Sequence, residues 1–422
     1  MTNAAQSFND TNPYALSTII DASATRQIVA SQDILDVRGT KLLARGQPVS
    51  HSLQQRLLER KLMKPMETCL RVEDGVTPFE LHDALTAFIE SDHALAAVVA
   101  PNAHRLLGEA KQLPLHASVQ VLLTAVQVTK PHVFAHAVRG MALAGAMQVS
   151  SISTGYDIRL AMLGGLLHDL GEMYVNPLYL DAGQSLDISG YRHVVTHPRI
   201  GEMLLVTATD YPAALSRAIG EHHERLDGNG YPLRRPGAEL SPLGKLLAVV
   251  EVALALAEAP LAPLSRASFA LRVVPGEFDE YCVGFVSAAA SRLEDPADVP
   301  WSDSLSDVAG QLALLNTQIN VAYEHATALA KRTDVSGVVR DAATRAALLL
   351  TRLRMGWNSL GLWAVSGQQE LPYQAFELVM ARNEMRYRMR CIQRDCLWKH
   401  RDVNTEDEDC LRPLWSDLED SA

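Results

Sequence analysis

Long apolar runs are missing from this sequence. No stretch reaches the roughly 18–20 residues that a membrane-spanning helix needs, and the first residues lack the basic-then-apolar pattern of a secretory leader. Cysteine is scarce: five residues in 422, none in tight pairs, which excludes a disulfide framework and points to reduced thiols. A cytoplasmic address is the expectation. Aromatic residues make up only 6% of the chain, while Ala and Leu are abundant, a balance that favours helices. A cationic excess is also absent. Lys and Arg number 38 against 49 Asp and Glu, a net charge of −11, which argues against a nucleic-acid polymer as partner. A small anionic ligand stays compatible if cations gather locally, and metal ions gather them most economically.

What is there is a globular composition, 48% hydrophobic with mean hydropathy near zero, long enough for two or three domains. Residues 1–25 are polar and turn-rich and are expected to be ill-ordered. Residues 26–75 read as a small strand-plus-helix module: Ile28-Val29, Ile34-Leu35 and the run Val37–Leu43 suggest strands around a Gly turn. Ser50 would cap a helix through Leu62 with Leu53, Leu57, Leu58 and Leu62 on one face. Residues 76–114 read as a helical connector, broken by Pro101 and Pro114.

Between residues 115 and 292 the histidines become informative. Pro131 opens a helix carrying His132 and His136, four apart and so on one face. The apolar helix ending Leu166-Leu167 runs into His168-Asp169. A helix-capping imidazole explains the His, since a cation is favoured there, but a carboxylate at that end is not. Metal coordination explains both. His193 and His197 follow on another helix, then His222 and His223, and finally Glu251, alone in the apolar helix Leu243–Glu258, where a carboxylate must be paired, protonated or a ligand. His136, His168 with Asp169, His197, His222 with His223, and Glu251 are spaced by about one helix plus a connection each. A bundle offering one inward ligand per helix would converge them on a dinuclear or trinuclear centre. The pair at 222–223 leads into Glu224 and the loop Asp227-Gly228-Asn229-Gly230-Tyr231-Pro232, two successive turn signals closed by a proline.

His168-Asp169-Leu170-Gly171, His197-Pro198 with Gly201, and the stretch from His222-His223-Glu224 through Tyr231-Pro232 resemble the HD-GYP family of HD-domain metal-dependent phosphohydrolases. The resemblance implies a mainly α fold: an HD-domain helical bundle, here with a small α+β N-terminal module and a helical C-terminal extension. It implies two or three divalent ions, iron or manganese, held by His136, His168, Asp169, His197, His222, His223 and Glu251, with His132 where some trinuclear members have a Glu ligand. Asp169 and His168 would be catalytic, Asp169 bridging two ions. Lys245 and the loop residues Asp227, Gly228, Gly230, Tyr231 and Pro232 would shape the substrate. That substrate would be cyclic di-GMP or a related cyclic dinucleotide, opened to the linear dinucleotide or to GMP in bacterial signalling. A protein partner at the loop 227–232 or the terminal regions, and a homodimer, stay open.

The departures from the family lie on the substrate side. Glu172 stands where a Lys is usual, Glu251 replaces an Asp, Lys245 replaces an Arg, and Val252–Leu256 with Ala259–Leu261 replace an Asp and an Arg-Pro-Tyr segment, with Leu254 among them. They sustain competing readings: a catalytically degenerate module acting as a signalling scaffold, or an enzyme on another phosphoester. Arg234 and Arg235 read as a solvated pair.

Residues 293–400 are expected to form a helical C-terminal domain, with Trp357 and Trp363 around Gly361 in its core and a basic helix from Tyr373 to Lys399 with a solvated face. Cys391, Cys396, His400 and Cys410 match no standard zinc spacing. Residues 401–422 read as a loose acidic tail.

Overall fold

The computed structural model describes residues 10–151, 154–180, 186–295, 305–360 and 372–415. The chain is mainly α-helical and forms two compact units. One comprises Met1–Gln184 and His193–Leu254, the other Ser185–Arg192 and Ala255–Ala422.

The first unit begins with a helix where disorder was expected. Pro13–Ala22 starts from Asn12, whose side chain accepts from the amides of Tyr14 and Ala15, and it buries Leu16, Ile19 and Ile20 completely. A polar start and a Pro at the first helical position are good capping chemistry, and the apolar spacing behind them supplies the packing face. The small sheets are as short as the sequence allows. Ile28–Ala30 pairs antiparallel with Leu70–Val72, and Ile34–Leu35 pairs with Lys41–Leu43. The following helix, His51–Leu58, stops one turn early: Leu53 and Leu57 are buried, Leu58 is exposed, and Leu62 is buried beyond the helix end. Leu58 lies about 100° round the helix from Leu57, off the stripe that Leu53 and Leu57 bury.

The helices that matter for function follow. Ala117–Thr129 is largely buried, Pro131–Val149 carries His132 and His136, and Gly155–Leu167 ends at His168. The helix expected over Tyr191–Leu205 is two, Ile188–Val194 and His197–Ala208, so that His197 opens a helix. Ala213–Glu221 ends at His222, and Pro242–Ala257 carries Lys245 and Glu251. The four candidate histidines at 168, 197, 222 and 223 therefore all sit at helix ends or just past them.

The second unit is built on Leu305–Ala330, Gly337–Leu360 and Pro372–Leu397, whose apolar faces share one core with Phe269, Val273 and Trp357. Gly361 and Trp363 lie outside the described residues. The basic helix is solvated only in part: Arg390 is exposed, but Arg388 and Arg394 are not. Arg388 bonds the carboxylates of Glu277 (2.8 Å) and Glu384 (2.6 Å), and Arg394 lies over the Tyr191 ring at 4.6 Å. Burying an arginine requires such partners. The acidic tail is also structured through residue 415: Asn404 caps the helix Thr405–Leu411, and Leu411, Leu414 and Trp415 join the core. Cys396 belongs to that core and Cys410 packs against it.

Candidate metal centre

Three backbone carbonyls aim three imidazoles. The Nδ1 of His168 lies 2.9 Å from the carbonyl of Gly165, that of His197 lies 2.8 Å from Val194, and that of His222 lies 2.6 Å from Ile219. A carbonyl only accepts, so each Nδ1 carries a proton and each ring turns its Nε2 inward. In all three cases the carbonyl is three residues upstream, one of those that a helix end leaves without a partner.

The inward nitrogens meet one carboxylate from two sides. Asp169 Oδ2 is 3.0 Å from His168 Nε2 and 3.4 Å from His136 Nε2, while Oδ1 is 3.4 Å from both His197 Nε2 and His222 Nε2. Glu251 closes the ring, with Oε2 at 3.3 Å from His168 and Oε1 at 3.9 Å from His223. Two donor groups result. His136, His168, Asp169 and Glu251 form one; Asp169, His197, His222 and His223 form the other; within each, the ligand atoms lie within 4.8 Å of one another. His132 is exposed in the first turn of its helix and belongs to neither group.

Charge tells whether these groups fit cations. The Nε2 atoms of His197 and His222 face each other at 3.1 Å, an arrangement of two lone pairs that needs a proton or a cation between or beside them. His136 Nε2, His168 Nε2 and Glu251 Oε2 are buried without a hydrogen bond. Burial alone would push the His168 ring toward neutrality, but Asp169 and then Glu251 outweigh it and hold its pKa well above the usual histidine range. Burial and then the neighbouring histidines push His223 well below that range. Burial would raise Asp169, yet His168, His136 and His197 hold it well below the usual carboxylate range. The centre thus gathers two carboxylates and five imidazoles in one shielded volume. Divalent cations fit that donor set, and the absence of thiolates from it disfavours soft ions.

Sequence reasoning assigned no role to the two glutamates that build the loop beside this centre. Glu224 is fully buried and its carboxylate accepts from the backbone amides of Leu233 (2.6 Å), Arg234 (3.0 Å) and Arg235 (3.0 Å). Glu221, also buried, accepts from the Ser241 amide and hydroxyl and from the Arg235 guanidinium at 3.1 Å. Arg235 is therefore a structural partner and not half of a solvated pair. The signal was available: two glutamates flanking His222-His223 at the mouth of a turn need donors, and a loop full of free amides supplies them. Within the loop, Asp227 accepts from the amide and side chain of Asn229, and Gly228 takes a positive φ of 73°. A side chain at Gly230 would run into the backbone of His223 and Glu224. The Tyr231–Pro232 bond is cis, and the Tyr231 ring stacks on His223 at 4.4 Å and 16°. Lys245 is half-buried and outside both donor groups. Glu172 is raised to about 7, by burial first and Asp169 second.

Helices converging a shared carboxylate and five imidazoles define a helical domain with a candidate dinuclear centre. The model of the HD domain family matches residues 120–273, which hold every residue of both groups. That segment is similar to HD domains, and the motifs that resemble the HD-GYP family lie within it. A 3'3'-cGAMP-specific phosphodiesterase of Vibrio cholerae is 31% identical over 135 residues, 31% of this chain and 29% of that protein. A cyclic di-GMP phosphodiesterase of Pseudomonas aeruginosa is 29% identical over 137 residues, 32% of this chain and 33% of that protein. The match thus covers a third or less of each relative's own length.

Proposed function

We propose that this chain is a metal-dependent phosphodiesterase of a cyclic dinucleotide, with cyclic di-GMP opened to the linear dinucleotide and on to GMP. The observation that carries the reading is the sharing of Asp169 between two His/carboxylate groups, one carboxylate oxygen turned to each. The names of the relatives support the substrate class. His136, His168, Asp169 and Glu251 would hold one divalent ion and Asp169, His197, His222 and His223 a second, iron or manganese suiting the mixed nitrogen and oxygen donors. Such ions, when bound, neutralise phosphodiester oxygens and acidify water at neutral pH.

The chain's own residues do the positioning. Asp169 holds the two halves of the centre in register, and the carbonyls of Gly165, Val194 and Ile219 keep three rings in the ligating tautomer. Glu224 pins residues 233–235, which follow the loop 227–232; Tyr231 backs the His223 ring, and the loop would border the substrate's place. Lys245 offers the anionic substrate a point charge where an arginine would offer a fork.

One observation favours the scaffold reading: Glu172, a shielded carboxyl near the centre, stands where a phosphate-binding lysine is usual. The deciding experiment is hydrolysis of cyclic di-GMP and 3'3'-cGAMP by anaerobically purified protein, with metal content measured on the same sample. Two equivalents of metal, with turnover that disappears in Asp169→Ala, is the expected result. Metal without turnover of either dinucleotide would leave the scaffold or another phosphoester, and neither metal nor turnover would end the catalytic reading.

A further inference from the structure

The first unit holds a second hollow, distinct from the histidine centre. A cavity of about 300 Å³ is lined by Asp10, Thr11, Met66, Glu67, Tyr174 and Ile200, with Asn12 beside them. Glu67 is 4% exposed; its carboxyl accepts from the Tyr174 hydroxyl at 2.6 Å and from its own backbone amide. A carboxylate offers about four acceptor positions, so part of this one's capacity is unmet. The Thr11 hydroxyl lines the same cavity, is shielded from solvent and has no hydrogen-bond partner. Among the described lining residues two are acidic and none is basic. The outer acid, Asp10, has Lys61 at 3.8 Å; the inner one, Glu67, has no counter-charge. Met66 and Ile200 supply an apolar wall.

We propose that this cavity binds a small organic cation, a primary ammonium or guanidinium on a short aliphatic stem. The cationic head donates to Glu67 and to Thr11, meeting a buried carboxyl and a shielded hydroxyl and favouring the ionised form of the carboxyl. The stem packs on Met66 and Ile200. The volume lies at the lower limit of small-molecule sites, which suits a stem of about five carbons.

Two lining residues of the cavity lie on segments that also carry ligands of the histidine centre. Tyr174 ends the 3₁₀ turn Leu170–Tyr174, which Asp169 caps, and Ile200 lies one turn beyond His197. Gly171, inside that turn, packs so closely on the His197 carbonyl that a side chain there would collide with it. Tyr174 and Ile200 thus stand on the segments that carry Asp169 and His197.

The test is ligand-observed NMR with thermal unfolding of the full metal-loaded chain. Pentylammonium and pentylguanidinium are the probes; 1-pentanol and pentanoate are the neutral and anionic controls. Saturation transfer to both cations and a raised Tm, with neither control effective, is the expected pattern. Glu67→Gln should weaken cation binding at least about tenfold, and Thr11→Val, close to isosteric, should weaken it several-fold. If Glu67→Gln fails to fold, Thr11→Val carries the test. Pentanol bound as well as the cations, cation binding untouched by the folded variants, or no binding at all, which would mean that the cavity holds water only, overturns the proposal. The readout is occupancy and not turnover, so it stands or falls apart from the phosphodiesterase reading.

Discussion

The two units treat buried charge in opposite ways. In the second, the Arg388 guanidinium lies between Glu277 and Glu384, and the geometry is closed: each charge meets its opposite within 2.8 Å. In the first, Asp169 and Glu251 face imidazoles, and His136 Nε2, His168 Nε2 and Glu251 Oε2 are buried without a hydrogen bond. A closed network serves stability, whereas an open one is tolerated only where something else completes it. Burial of ionisable groups alone does not distinguish a site from a scaffold; the missing counterpart does.

Four substitutions break or sharpen that contrast. Asp169→Ala should have the largest effect, removing both candidate ions and lowering turnover by about a thousandfold or more while the fold persists; metal analysis, circular dichroism and kinetics on one preparation check it. Arg388→Ala should leave two buried carboxylates without a partner and cost about 3 kcal/mol in denaturant unfolding, with metal content unchanged. If it instead emptied the centre, the division between a structural and a functional network would fail. Glu224→Ala should release the loop amides and lower metal affinity about tenfold through His223, read by competitive chelator titration.

The smallest effect concerns pH. Burial raises the Glu67 carboxyl above its usual value, so the native state holds a proton that the unfolded chain releases. Its stabilising share is complete below the ordinary glutamate pKa of about 4.3 and is lost as pH rises through the folded-state value. Glu67→Gln should flatten that part of the stability profile; an unchanged slope would assign it to other groups.

Much of the centre was legible in the sequence, because metal-ligand chemistry writes itself in residue types that helices seldom bury. Asp169 after His168 and Glu251 in an apolar helix are anomalies that local propensity cannot explain, and the structure brings them within 3.3 Å of a common imidazole. What escaped was contact at long sequence separation. Nothing around Arg388 announces Glu277, and nothing near Asp10 announces Glu67 or Tyr174. The ill-ordered N-terminus failed for a related reason. Polarity before a helix can be a cap as readily as a loose end, and only the packing of Leu16, Ile19 and Ile20 decides between them. Arg235 likewise reads as solvated until Glu221 is placed beside it.

Because His168, His197 and His222 each borrow a carbonyl from one turn upstream, the aim of their rings is tied to the winding of three helix ends. A frayed turn at Gly165, Val194 or Ile219 frees a ring to rotate, and a ligated ring holds its turn wound. Amide hydrogen exchange in those turns should therefore slow when ions bind, at positions that never touch the ions, making the backbone itself a gauge of occupancy.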